Sequence, residues 1–366
     1  MKKFLSVTPR PTLRFSFPIL ILSLCAIVTT QAQTSSYIPG VTTEGATFFL
    51  PKTAIRISIL AEKKTYQPGE YAAYAQRFLR LNNVSTEPEV THRILSIKQT
   101  AVGVADTTKA YTVKFNTKSA ATNVALAEDG TLLAVNGLPQ QTEKPKRFKA
   151  APKQPQPDPH RFQTEEILAA GSLAKMAQLT AQEIYDLRDN RSLLIKGQAD
   201  FMPTDGEQMK LMLQQLDLQD RALTSLFSGV TVCDTTEHVY IISPSQNING
   251  MLLFRFSKYL GLVDGDDLSG VPYTLTVTDL NTVPKATESA AKKKKTENAL
   301  YYNVPGRLRS VIARGSEEMS NEEFPAAQFG NVELLSGDLF NKHFATRLWL
   351  NPLTGTIDRL DAEQPK

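Results

Sequence analysis

The chain has 366 residues, with 41 Lys and Arg against 37 Asp and Glu, a formal net charge of +4. Lys2, Lys3, Arg10 and Arg14 fall in a stretch with no acidic residue, so the rest of the chain balances at 37 against 37. A balanced chain gives no electrostatic reason to propose nucleic acid as a partner, and Cys25 and Cys233 are too few for a thiolate metal cluster.

The N-terminus reads as a secretory leader. After the basic start, Phe15 to Val28 is an apolar run, and Thr30-Gln31-Ala32 places small residues where a signal peptidase inspects them. The run is shorter than the roughly 20 residues a membrane span needs. Cys25 follows Leu24, which is not the small residue expected before a lipid-modified cysteine. The expectation is a signal peptide over 1–32, cleaved after Ala32, and export to the periplasm, the outer-membrane surface or the medium. No later run approaches membrane-spanning length.

Residues 37–137 read as a β-rich domain. Ala54 to Ile59 alternates with period two, as do His92 to Thr100 and Ala110 to Phe115. Tyr71, Tyr74, Phe78 and Leu81 keep helical spacing after the turn residues Gln67-Pro68-Gly69-Glu70. Asp129-Gly130 between apolar runs predicts a hairpin. Residues 138–160 are rich in Pro, Lys and Gln, the composition of an extended linker.

Residues 161–229 predict an antiparallel helical hairpin. Leu173, Met176, Ile184, Leu187 and Leu194 form one stripe; Met209, Met212, Leu216, Leu223 and Leu226 form the other. Thr204 and Glu207 have the spacing of a capping box at the second helix. Each arm is about 35–50 Å long at the α-helical rise. Two helices cannot bury both their sides, so the stripes are expected to dock on a β domain, or partly on a partner chain.

Residues 230–361 return to β character. His238–Ile242, Met251–Phe256, Val271–Val277, Asn331–Leu335 and Thr346–Leu350 read as strands, and Asn351 to Gly355 as a turn. Residues 281–298, with Lys292 to Lys295, read as a mobile, solvated loop. Tyr74–Leu81 and Arg255–Leu262 share a faint pattern of basic, aromatic and leucine residues that a duplicated β domain would explain. The fold class is therefore α+β: two β-rich domains, sandwich- or barrel-like, flanking a long antiparallel helical hairpin.

The segments Glu166 to Leu179, Phe256 to Leu268 and Ala327 to Leu334 resemble, in that order, a family of exported bacterial proteins, domain of unknown function 4831. The resemblance runs from about Tyr37 to about Asp361. It implies a bacterial envelope or secreted setting and carries no catalytic residues with it.

Signals of chemistry are sparse. His92, His160, His238 and His343 lack the spacing of a zinc site. There is no nucleophile elbow and no phosphate-cradling glycine loop. Cys233 has no basic neighbour in sequence to activate it as a nucleophile. The one metal candidate is the loop Asp264-Gly265-Asp266-Asp267-Leu268-Ser269-Gly270, whose Asp264, Asp266 and Asp267 offer oxygen ligands of the kind calcium takes. The alternative is a turn that Asp266 or Asp267 caps. Asp106-Thr107-Thr108 and Asp234-Thr235-Thr236 resemble an O-glycosylation acceptor of exported bacterial proteins. No cofactor is expected. The expected function is a non-catalytic envelope protein that holds an envelope partner or a second copy of itself. An extracytoplasmic ligand-binding module, for glycans among others, is the alternative, and an enzyme comes third.

Overall fold

The computed structural model describes residues 39–41, 45–114, 123–140, 145–153, 155–284, 299–340 and 345–363. The leader expected at 1–32 and most of the loop expected at 281–298 lie outside them.

The alternation read at Ala54–Ile59 extends in both directions into one 23-residue strand, β2 (Gly45–Gln67). Its apolar residues change parity along its length. Ala46, Phe48 and Leu50 enter one core, and Ile55, Ile57 and Ile59 enter another. Successive side chains leave a strand on opposite faces, so one strand serves two cores from its two sides. Along one edge it pairs antiparallel with β3 (Glu89–Lys114). The two strands expected inside β3 are a single one, interrupted by a bulge. Phe49 faces Ala110 and Leu50 faces Asp106, so residues 107–109 loop out. The other edge of β2 takes β1 (Gly40–Val41) and, from Ile55 to Gln67, β6 (Val230–Ile242).

A second sheet is built from β4 (Val124–Leu126), β5 (Leu132–Val135), β12 (Ala345–Leu350) and β13 (Ile357–Glu363), in the order β13-β12-β5-β4. Gly130, at φ +82°, makes the β4–β5 turn that Asp129-Gly130 predicted. The third sheet holds β7 (Ile248–Ser257), β8 (Gly261–Val263), β9 (Val271–Asp279), β10 (Leu300–Arg314) and β11 (Glu317–Leu335), in the order β11-β10-β9-β7-β8. Its Phe254, Leu275, Leu308 and Ile312 meet the three isoleucines of β2 face to face. The molecule is thus mixed α/β, with several sheets and one helical pair. The expected boundary between two β domains is not where the strands divide. β6 pairs with β2, and β12 pairs with β5, so strands from before and after the helices share sheets, and Ile38–Lys366 form one unit. Alternation tells which side chains face a core, but not which strand will pair with which.

Side-chain amides join the sheets. Asn303 Nδ2 donates to the carbonyls of Pro51 at 2.9 Å and Thr354 at 2.8 Å. Gln328 accepts from Thr53 N–H at 2.9 Å and donates back to Thr53 C=O at 2.8 Å, imitating a ladder pair where none runs. The chain approaches itself closely here: a Cβ on Gly103 would lie 2.1 Å from the Pro352 carbonyl oxygen.

The helical part has its own core. After a 3-10 turn over Ala72–Tyr74 come α1 (Ala75–Leu79), α2 (Glu165–Leu168), α3 (Leu173–Lys196) and α4 (Gly206–Ser228). Ser172 caps α3, and Gly197 ends it at φ +70°. The cap of α4 is Asp205, which accepts from Gln208 N–H at 2.7 Å; Thr204 instead binds the Gln208 side chain. The cap thus sits one residue later than the Thr204–Glu207 spacing predicts, because a Thr-Asp pair offers two competent caps and the backbone turns at the second. Tyr71, Ala75 and Leu79 pack against Ala177, Ala181, Ile184, Leu187, Leu223, Leu226 and Phe227. The hairpin therefore docks on a short helical segment rather than on a sheet. Tyr74–Leu81 is mostly helix, whereas Arg255–Leu262 is strand and turn, so their shared pattern is no structural repeat. Among the described residues no helix is long and apolar enough to cross a membrane.

The Pro-rich stretch has no regular structure over the described part of 138–158 and crosses β6. Phe148 N–H donates to the Glu237 carboxylate at 2.9 Å, and Lys153 pairs with Asp234. Glu237 also accepts from Ser58 and Arg56. The Ser58 hydroxyl, the Phe148 amide and Arg56 hold its pKa down from 4.5 to about 2. A depressed carboxylate contributes stability above its ordinary pKa, and that contribution fades as pH falls towards the folded value. Urea midpoints of the wild type should therefore fall between pH 4.5 and pH 2 by more than those of Glu237→Gln. Parallel curves for the two proteins would show that this carboxylate is not stabilised by its donors.

Candidate functional site

The two helical stripes are not covered along their whole length. In α3, buried apolar positions run from Ala177 to Leu194, at spacings of three, four and seven. In α4 the buried residues are Ala222, Leu223, Leu226 and Phe227, all in its last two turns. Met209, Leu211, Met212, Leu213 and Leu216 of its first half are at least partly exposed. The cause is geometric. The segment from Tyr71 to Leu79 covers the base of the hairpin, and two helices alone leave the remainder of an apolar stripe open.

The open part forms a groove of about 570 Å³ between the helices near their connection, lined among others by Leu193, Leu194, Phe201, Leu211, Met212 and Leu216. Phe201 is 74% exposed and Leu211 58%. Exposed apolar side chains gathered in one place mark an interaction surface more often than scattered ones do. The helices beneath it are held in register by ion pairs, Arg188 to Asp220 at 2.9 Å and Arg191 to Asp217 at 2.7 Å. These lie at the surface and each stabilises by no more than about 1 kcal/mol. Their effect is on alignment. Of Gln178, Glu183, Arg188, Gln214 and Gln219, whose positions off the stripes predict an outward face, Gln178, Arg188 and Gln214 are exposed, while Glu183 and Gln219 are half-buried and Gln219 lines the groove. Leu216, expected in the core, is partly buried and lines the groove.

Asp264, Asp266 and Asp267 lie in the turn between β8 and β9. The Ser269 hydroxyl, and after it the Ser269 N–H that donates to Asp267 at 2.9 Å, lower the Asp267 pKa. Arg255 donates to the carbonyls of Gly265 at 2.8 Å and Gly270 at 3.0 Å, so a guanidinium occupies oxygens a cation would otherwise seek. Among the described residues no three His, Cys, Asp or Glu side chains are gathered as metal ligands. His160 binds Gln163 and Glu70, and the Gln163 contact raises its pKa. His238 meets Thr236, and His343 lies outside the described residues. Cys233 is a free, exposed thiol.

The two Asp-Thr-Thr triplets differ. Asp106 is buried and accepts from both the amide and hydroxyl of Thr108, while Thr107 and Thr108 stand exposed in the β3 bulge. Asp234-Thr235-Thr236 lies within the regular ladder of β6. Sequence periodicity found the hairpin but not its groove. The signal available was the connection 197–206, where Phe201 and Met202 stand as large apolar residues in a polar turn.

No curated protein and no solved structure matches the chain. Residues 44–358 match domain of unknown function 4831. That span takes in all three sheets and the hairpin from β2 to the start of β13, and the chain belongs to this family of unknown function.

Proposed function

We propose that the chain is an exported, non-catalytic envelope protein that holds a protein partner in the distal groove of its helical hairpin. The observation that carries this reading is the open stripe of α4. Its first half carries Met209, Leu211, Met212, Leu213 and Leu216, yet its fully buried residues all lie in the last two turns. A partner offering an amphipathic helix would complete the layer, because a groove between helices accepts apolar anchors at helical spacing. Export rests on the basic start, the short apolar run and Thr30-Gln31-Ala32.

The test places a photo-crosslinking amino acid at Phe201 or Leu211 in cells, with Gln178 as the control position. The expected result is one discrete adduct from both groove positions and none from Gln178, on a chain whose N-terminus is Gln33. A chain beginning at Met1 overturns export. Groove positions that give no adduct, or the same adducts as Gln178, overturn the groove.

A further inference from the structure

A second groove, independent of the hairpin, follows from strand register. On β2, Glu62, Lys64 and Tyr66 share a face. Each sits in a row of three. Arg93, Glu62 and Thr235 form the first, Thr91, Lys64 and Cys233 the second, and Glu89, Tyr66 and Thr231 the third. Opposed residues in an antiparallel ladder lie on the same side of the sheet, so β3, β2 and β6 together make one polar floor.

Two adjoining cavities, of about 350 Å³ and about 330 Å³, stand on this floor and share Lys64, Thr91 and Lys258. Lys258, in the turn after β7, forms a wall: its carbonyl accepts from His92 N–H at 2.6 Å at the outer edge of β3. The far end is closed by Tyr66, whose hydroxyl shares its one proton between the carbonyls of Ser85 at 2.8 Å and Ser228 at 3.1 Å.

The charges are uneven. Glu62 is buried and already paired with Arg93 at 2.6 Å. Lys64 and Lys258 have no carboxylate partner among the described residues. The first cavity thus holds Lys64, Lys258 and Arg93 against Glu62 alone. The second adds Glu89 but is mostly hydroxyl and amide, from Asn83, Ser85, Thr91, Ser228 and Thr231. Two ammonium groups without a carboxylate partner, shared by both cavities where they meet, suit an oxyanion, for which lysine acts as a point charge; the Lys258 ammonium lies 5.5 Å over the Tyr259 ring. The mostly neutral donors and acceptors of the second cavity beyond that junction suit ring hydroxyls. We propose that this groove binds an acidic saccharide. Its carboxylate or phosphate group lies between Lys64 and Lys258, and its hydroxyls reach Ser85, Thr91 and Thr231.

Cys233 stands in the middle row and reports occupancy directly. The experiment measures the rate at which a thiol reagent modifies Cys233 in the full chain, read on its own peptide by mass spectrometry. The probes are glucuronate, glucose 6-phosphate, inorganic phosphate and glucose. At saturating ligand, at least one acidic sugar should slow the reaction about fivefold or more, as mass action requires of a covered thiol. Phosphate and glucose should slow it less. Lys64→Gln with Lys258→Gln should abolish the protection, read for each protein as the ratio of its rates without and with ligand, because Lys64 faces Cys233 across the ladder and its loss also changes the unliganded rate. Protection by phosphate equal to that by both sugars would overturn the saccharide. So would equal protection by glucose, protection that survives the double substitution, or no protection at all.

Discussion

Phe227→Ala is expected to destabilise the protein by about 3–5 kcal/mol, the range for removing a fully buried aromatic ring. Phe227 ends α4 with no exposed surface, and its ring meets Tyr71 edge to face at 5.3 Å. Tyr71 N–H donates to Leu226 C=O at 2.7 Å, and its hydroxyl accepts from Gln163 at 2.8 Å. The ring therefore sits where α4, the Tyr71 segment and the end of the Pro-rich stretch meet. Removing it leaves a cavity that three separately tethered elements cannot close together. Urea unfolding beside the wild type measures the loss, with amide exchange along α3 and α4 as a second reading. A change below about 1 kcal/mol would mean that this junction relaxes freely, and the hairpin's attachment would have to lie elsewhere.

Asn303→Asp should cost about as much by a different route. The residue is fully buried, and its Nδ2 serves two carbonyls, Pro51 on β2 and Thr354 in the turn before β13. Aspartate has nearly the same shape, so packing is kept. The substitution removes both donated bonds and sets a carboxyl oxygen against two carbonyl oxygens. Each buried acceptor left unpaired costs about 1–3 kcal/mol, and the acid must take up a proton or carry a buried charge. The expected loss is about 3–5 kcal/mol at neutral pH, with part regained as pH falls and the acid is protonated. Equal urea midpoints for the variant and the wild type would show that the amide joins nothing. Asn303→Leu tests the same site with no charge and should be the milder change at pH 7.

Both residues show where sequence reasoning stops. The helical stripes were legible because helical spacing needs no partner to be recognised: Ile184, Leu187 and Leu194 mark a face by themselves. Phe227 lies at the end of such a stripe. Nothing in its neighbourhood in sequence pointed to Tyr71, which comes from the far side of the Pro-rich stretch. Asn303 lies among apolar residues in β10, and its role depends on two carbonyls supplied by distant segments. The polar floor is a similar case. Lys64 and Tyr66 lie beyond the alternation read at Ala54–Ile59, and Cys233 and Thr231 joined them only through the pairing with β6. Asp264, Asp266 and Asp267 went the other way. Their composition suggested ligands, while Arg255, ten residues before Gly265, turned out to hold the loop.

The second sheet closes late in synthesis. Asn136, just beyond β5, donates to the Thr346 carbonyl across 210 residues of chain, and β5 has no partner besides β4 until β12 exists. A ribosome delivers the N-terminal strands first, at about 5–20 residues per second. For that interval β5 is an open edge, and Phe48 and Leu50 lack the Leu348 and Leu350 side chains that complete their core. Long-range closure of this kind slows folding. A chain cut short before residue 345 keeps that edge permanently, which makes it a substrate for proteases and for its own aggregation. Arrival of β12 and β13 thus closes the second sheet and the core it shares with β2.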